Sequence, residues 1–103
     1  MSADLGRRAQ EEALEDSLRA LQREIDAGEE ALYDLARRFH NAQDDAYGIA
    51  TRRGVFDSEL KQRFGHHQHA FLEAKRAGED LLDQTRADHE RVHRELAMLR
   101  DTR

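Results

Sequence analysis

Ala50-Thr51-Arg52-Arg53-Gly54-Val55-Phe56-Asp57-Ser58 is the stretch on which the fold turns. Two arginines ahead of a glycine read as the end of a helix. The cations sit on the last carbonyls and the glycine supplies a left-handed cap. Asp57 or Ser58 is placed to cap a following helix. Without this stop, the pattern on either side would also suit one continuous helix.

Upstream of it, apolar or small residues recur at Leu14, Leu18, Leu21, Ile25, Gly28, Leu32, Leu35, Phe39, Ala42, Ala46 and Ile49. The spacings alternate four and three, which is a heptad seam. Downstream, a looser stripe runs Phe56, Leu60, Phe64, His67, Phe71, Ala74, Gly78, then Leu81 or Leu82, Thr85, His89, Val92, Leu96 and Leu99. Its phase slips once at Leu81–Leu82, a stutter that locally relaxes a supercoil. Acids precede bases by four residues at Glu15–Arg19, Asp34–Arg38, Asp57–Lys61, Glu59–Arg63 and Glu90–Arg94, the spacing of surface pairs on a helix.

The pattern predicts an all-α fold: a long antiparallel two-helix hairpin, coiled-coil-like. Residues 1–10 form a frayed N-terminus, and 11–103 a single hairpin. Helix 1 covers about 11–52, the turn (Arg52, Arg53, Gly54) lies at about 53–55, and helix 2 covers about 56–100. Folding about 52–54 pairs residues whose numbers sum to about 106. Gly28 then faces Gly78, Leu32 faces Ala74, Leu35 faces Phe71, Phe39 faces His67, and Ile25 meets Leu81. The two seam glycines, Gly28 and Gly78, mark either a close backbone approach or a hollow for a partner's side chain. Breaks at Gly28, Gly54 and Gly78 would instead make four short helices, but the heptad phase continues across Gly28.

Composition narrows the function. The 103 residues are 38% charged and 38% hydrophobic, with four phenylalanines, two tyrosines, no tryptophan, no cysteine and no proline. Disulfide frameworks and cysteine-ligated zinc are excluded. No apolar run approaches the roughly 20 residues of a membrane span, and the charged start is not expected to be a cleavable signal peptide. Net charge is −5, and neither half is a basic patch, so nucleic acid is not an expected partner.

Two groups look chemical. His89-Glu90-Arg91-Val92-His93 matches the H-E-x-x-H zinc pattern. Catalytic zinc needs a third ligand, and Leu96 and Leu99 stand where the longer pattern would place glycine and histidine. Within Gly65-His66-His67-Gln68-His69, His66 and His69 lie one turn apart, a spacing that suits a weak metal ion. His67 falls on the seam, so protonation near pH 6 is expected to destabilise the fold. No catalytic residues, cofactor or metal ligands are assigned.

Two helices cover each other only on one side. Apolar residues remain on the flanks, including Leu5, Tyr33, Ala36, Tyr47, Leu72 and Leu82. Association into a four-helix bundle, with a partner or with a second copy, is the expected remedy. The interface is assigned to Leu32, Tyr33, Phe39, Tyr47, Phe56, Phe64, Phe71, Leu72 and Leu82.

Glu30-Ala31-Leu32-Tyr33-Asp34-Leu35-Ala36-Arg37-Arg38-Phe39-His40-Asn41, a glycine-containing turn, and a charged second helix ending Arg94-Glu95-Leu96-Ala97-Met98-Leu99-Arg100 carry a family likeness. The chain resembles the WXG100-like helical-hairpin small proteins of type VII secretion. More narrowly, it is similar to the small partner proteins that accompany LXG-domain toxins. The resemblance implies a cytoplasmic partner, chaperone or targeting factor, without catalysis or membrane insertion, that binds the helical N-terminal region of a secreted effector. The effector, a second small helical partner, or both would complete the bundle, and export with the client is a further expectation. Ala46-Tyr47-Gly48 stands where that family has Trp-x-Gly, which suits an accessory protein whose companion carries the export signal. The alternative is a self-assembling homodimeric coiled-coil scaffold without a client.

Overall fold

The chain contains no proline, and most residues between its seam positions are helix-forming Glu, Arg, Gln, Lys and Ala. Nothing in the backbone therefore stops a helix until a cap does. The computed structural model describes residues 2–54 and 58–102. It holds two α-helices, α1 (Ser2–Arg53) and α2 (Ser58–Asp101), and no strand among the described residues. Gly6, Gly28, Gly48, Gly65 and Gly78 all lie inside helices, so the division into four short helices is ruled out. α1 begins at Ser2, not near 11. Ala3, Arg7, Arg8, Ala9 and Gln10 favour helix, and Asp4 sits in the first turn, where it complements the helix dipole. The expected start was tied to the first seam leucine, which helix formation does not require.

The end of α1 follows the capping logic. Arg52 and Arg53 occupy the last turn. Arg52 Nε donates to the Gly48 carbonyl at 3.2 Å, and Thr51 Oγ1 donates to the Tyr47 carbonyl at 2.8 Å. Gly54 follows with φ 68°, and its N–H donates to the Thr51 carbonyl at 3.3 Å. A side chain is disfavoured at that φ, so Gly54→Ala should lower stability by about 1 kcal/mol. Gly54→Asn should lose less, because asparagine tolerates this conformation. Thermal melts of the two variants check the order. Val55, Phe56 and Asp57, including the expected cap at Asp57 and the expected helix start at 56, lie outside the described residues. α2 is helical from Ser58.

The chain divides into two compact units, each pairing a part of α1 with a part of α2. The terminal unit comprises Met1–Glu29 and Leu81–Arg103. Its interior is Ile25, Leu82, Val92 and Leu96, all buried. Leu14, Leu18, Leu21 and Leu99 are half-buried around them. The helices run antiparallel here. Arg100 Nη2 donates to Glu15 Oε1 at 2.6 Å, and Arg86 Nη2 to Glu29 Oε1 at 2.8 Å. The Glu29 hydrogen bond pushes the Arg86 guanidinium further above its ordinary value. Both pairs are exposed to solvent, so their part is to mark the register more than to stabilise it.

The central unit comprises Glu30–Asp80. Phe39 stacks on Phe71, with ring centroids 4.2 Å apart and planes inclined by 2°. Leu32 lies against Gly78: a Cβ on that glycine would fall 2.6 Å from Leu32 Cδ2. Ala50 is the one buried hydrophobic among the described residues of this unit, while Leu32, Leu35, Phe39, Phe64 and Phe71 are half-buried.

The hairpin is as expected, but its register is not. In the terminal unit Gly28 meets Leu82, whose Cδ1 would be 3.1 Å from a Cβ on the glycine. In the central unit Leu32 meets Gly78 and Phe39 meets Phe71. The numbers of each pair sum to 110, four beyond the expected 106. α1 runs to Arg53, so the fold-back is centred later than 52–54. The expected glycine–glycine layer is replaced by two leucine–glycine pairs. The hollow reserved there for a partner is thus filled by the chain's own leucines. Leu82 is buried and Leu81 is 66% exposed, so Leu82 holds the seam position that the spacing left open and the expected Ile25–Leu81 contact falls away. His67 is exposed and not under Phe39, so its protonation brings no charge into the interior.

The surface pairs also differ in part. Glu59–Arg63 forms as expected at 3.2 Å. Arg19 instead pairs with Asp16, freeing Glu15 for Arg100 on the other helix. Asp34 pairs with Arg37 at 3.2 Å, three residues on, and not with Arg38.

Candidate functional site

Beside the Phe39–Phe71 stack, the central unit leaves an open groove of ≈ 610 Å³. Its origin is the size of the seam side chains. α1 contributes Leu35, Phe39, Ala42 and Ala46, and α2 contributes Phe64, Ala70, Phe71 and Ala74. Four of these eight are alanines, too small to fill the space between two helices. The aromatic rings therefore stay half-exposed. His40 lies edge-on to both rings of the stack, with centroids 5.5 Å from Phe39 and 5.9 Å from Phe71.

Three polar side chains complete the lining: Arg38, Gln43 and His67. No carboxylate lines the groove, in a chain whose net charge is −5. Arg37 is tied to Asp34, whereas Arg38 has no ion pair among the described residues. A second depression of ≈ 490 Å³ is polar, lined by Glu59, Gln62, Arg63, His66 and His67.

Of the assigned interface residues, Phe39, Phe64 and Phe71 are brought together in the groove. Tyr33, Tyr47 and Leu72 are exposed on the central unit, outside the groove. Leu32 is half-buried against Gly78. Leu82 is buried in the terminal unit and offers no surface. Phe56 lies outside the described residues. The seam pattern missed Arg38 and Gln43, which flank the groove, and the exposed Met98; it placed Ile49 on the seam, where the structure leaves it exposed and buries Ala50 beside it.

The histidines do not assemble into a site. His89 is half-buried and His93 exposed. His66 and His69 are exposed, and His69 Nε2 lies 3.0 Å from Glu73 Oε1. Among the described residues no group of three His, Asp or Glu side chains is arranged to hold a metal ion. Nor is any helix among them long and apolar enough to cross a membrane.

No family model, curated protein or solved structure matches the chain. Chemically the groove offers stacked rings and a cation without an ion pair among the described residues. That inventory suits holding an apolar surface, with one positive charge to orient it.

Proposed function

We propose that the chain is a non-enzymatic interaction module that binds another helical protein through the open side of its central unit. The observation that carries this reading is the half-exposed Phe39–Phe71 stack in a groove that the hairpin does not fill. Aromatic side chains left partly wet lose much of their hydrophobic contribution, and a third helix laid over them would restore it. The finer reading makes the chain a partner, chaperone or targeting factor for the helical N-terminal region of an LXG-type effector of type VII secretion. On that reading it acts in the cytoplasm. That part rests on the sequence resemblance alone.

Static light scattering of the purified chain, alone and mixed with the products of neighbouring genes, tests the proposal. A defined heteromeric complex with a helical neighbour is the expected result. A tight homodimer that ignores every neighbour would replace this reading with that of a self-assembling scaffold.

A further inference from the structure

The groove is unevenly charged for its surroundings. Eight of its eleven lining side chains are apolar, the other three are Arg38, Gln43 and His67, and none is acidic. Arg38 has no ion pair among the described residues; Asp34, four residues before it, is taken by Arg37. Two antiparallel helices form the walls, and the ridges and grooves of helix surfaces interdigitate with those of a further helix.

A second copy of this chain suits the groove poorly. Groove against groove would bring the Arg38 guanidinium of each copy to one interface, with no carboxylate in the lining to meet it. Lending a different face would require an exposed apolar row. The exposed large hydrophobics among the described residues are Leu5, Tyr33, Tyr47, Ile49, Leu72, Leu81 and Met98, and no two of them lie three or four residues apart. Among the described residues, no such row of exposed large side chains is therefore available to donate.

We infer that the groove receives one amphipathic helix of another protein, which sets a bulky apolar residue against Phe39 and Phe71 and a carboxylate, one turn away, against Arg38. This rests on the reading of the chain as a partner-binding module, and adds the seat and the chemistry of the partner's surface.

The test uses the full chain and a synthetic helical peptide of about 20 residues, long enough to be helical in water. The peptide carries leucines along one face with glutamates one turn from them. A twin has glutamine at each glutamate. Fluorescence anisotropy reads binding to the wild type, Arg38→Gln, Ala70→Phe and Ala74→Leu. Circular dichroism confirms that each variant is folded. The acidic peptide should bind the wild type about five-fold more tightly than its twin, and Arg38→Gln should erase that difference. Ala70→Phe, which fills the groove, should weaken both peptides by about ten-fold or more. Ala74→Leu serves if Ala70→Phe does not fold. Equal binding of the two peptides, unchanged binding after groove filling, or no binding by the wild type each overturns the inference. A dimer of the free chain that Ala70→Phe dissociates also overturns it, by making the occupant a second copy. If a neighbouring gene product binds and groove filling leaves that complex intact, the interaction role stands and this inference falls. If the peptide behaves as expected and no neighbour binds, the inference stands and the effector reading falls.

Discussion

Leu96→Ala is expected to cost about 2–4 kcal/mol, the largest loss from any single truncation in this chain. Leu96 is 4% exposed and, among the described residues of the terminal unit, belongs to a set of four buried side chains, with Ile25, Leu82 and Val92. A small interior has few neighbours that can collapse into a hole, so the void left by three lost carbons persists. For a chain of this size the loss should lower the melting temperature by roughly 10 °C or more. Leu81→Ala is the matched control. The residue is of the same type and lies on the same helix, but it is 66% exposed, so its truncation should change stability by less than about 0.5 kcal/mol. Thermal melts followed by circular dichroism compare the two. Equal shifts would mean that the terminal unit is not packed as described.

Gly78→Leu is the second large effect. A single methyl at this position would stand 2.6 Å from Leu32 Cδ2, closer than atoms tolerate. That atom is the far end of a flexible side chain, so Gly78→Ala has a remedy: Leu32 swings aside. The gain of about 1 kcal/mol in helix propensity then offsets much of the strain. A leucine has no such remedy. It competes with Leu32 for one volume, and overpacking of this kind costs about 1–3 kcal/mol. Gly65 shows the contrast, because nothing lies within 4 Å of a Cβ there. Gly65→Leu should be neutral or stabilising, by up to about 1 kcal/mol. Shortening the opposing side chain supplies the cross-check. Leu32→Ala in the Gly78→Leu background should recover most of the loss, a coupling that unrelated sites do not show. If Gly78→Leu and Gly65→Leu melt alike, Leu32 does not pack on Gly78 as described.

Much of this architecture was legible in the residues. The alternation of fours and threes gave two helices, and Arg52-Arg53-Gly54 gave the place where the first one ends. What spacing does not encode is the position of one helix against the other. A shift of the pairing by four still sets Gly28, Leu32, Phe39 and Ala46 opposite seam residues of the second helix, so periodicity alone does not choose between the two registers. Shape decides instead: Leu32 and Leu82 fit opposite glycines, and Phe39 finds Phe71. The same blindness left Leu81 and Leu82 as equals until burial separated them. For the candidate site, Phe39, Phe64 and Phe71 were visible as seam aromatics. Arg38 was not, because Asp34 stands four residues before it and the usual pairing rule claims it. The rule allows a spacing of three as readily as four, and Asp34 takes Arg37. The residue next along was left without a partner, a detail that depends on rotamers and not on sequence spacing.

The uneven burial has a kinetic side. The best-packed cluster joins Ile25 to Leu82, Val92 and Leu96, side chains separated by more than half the chain. Helices alone form in about a microsecond, but this cluster must close a wide loop before its burial stabilises anything. High contact order of this kind slows folding in a topology that helical content would make fast. On the ribosome, which adds about 5–20 residues per second, Ile25 waits seconds for the leucine it will pack beside. The central unit's residues are synthesised earlier, so Phe39 and Phe71 are both present before Leu82, Val92 and Leu96 have been made.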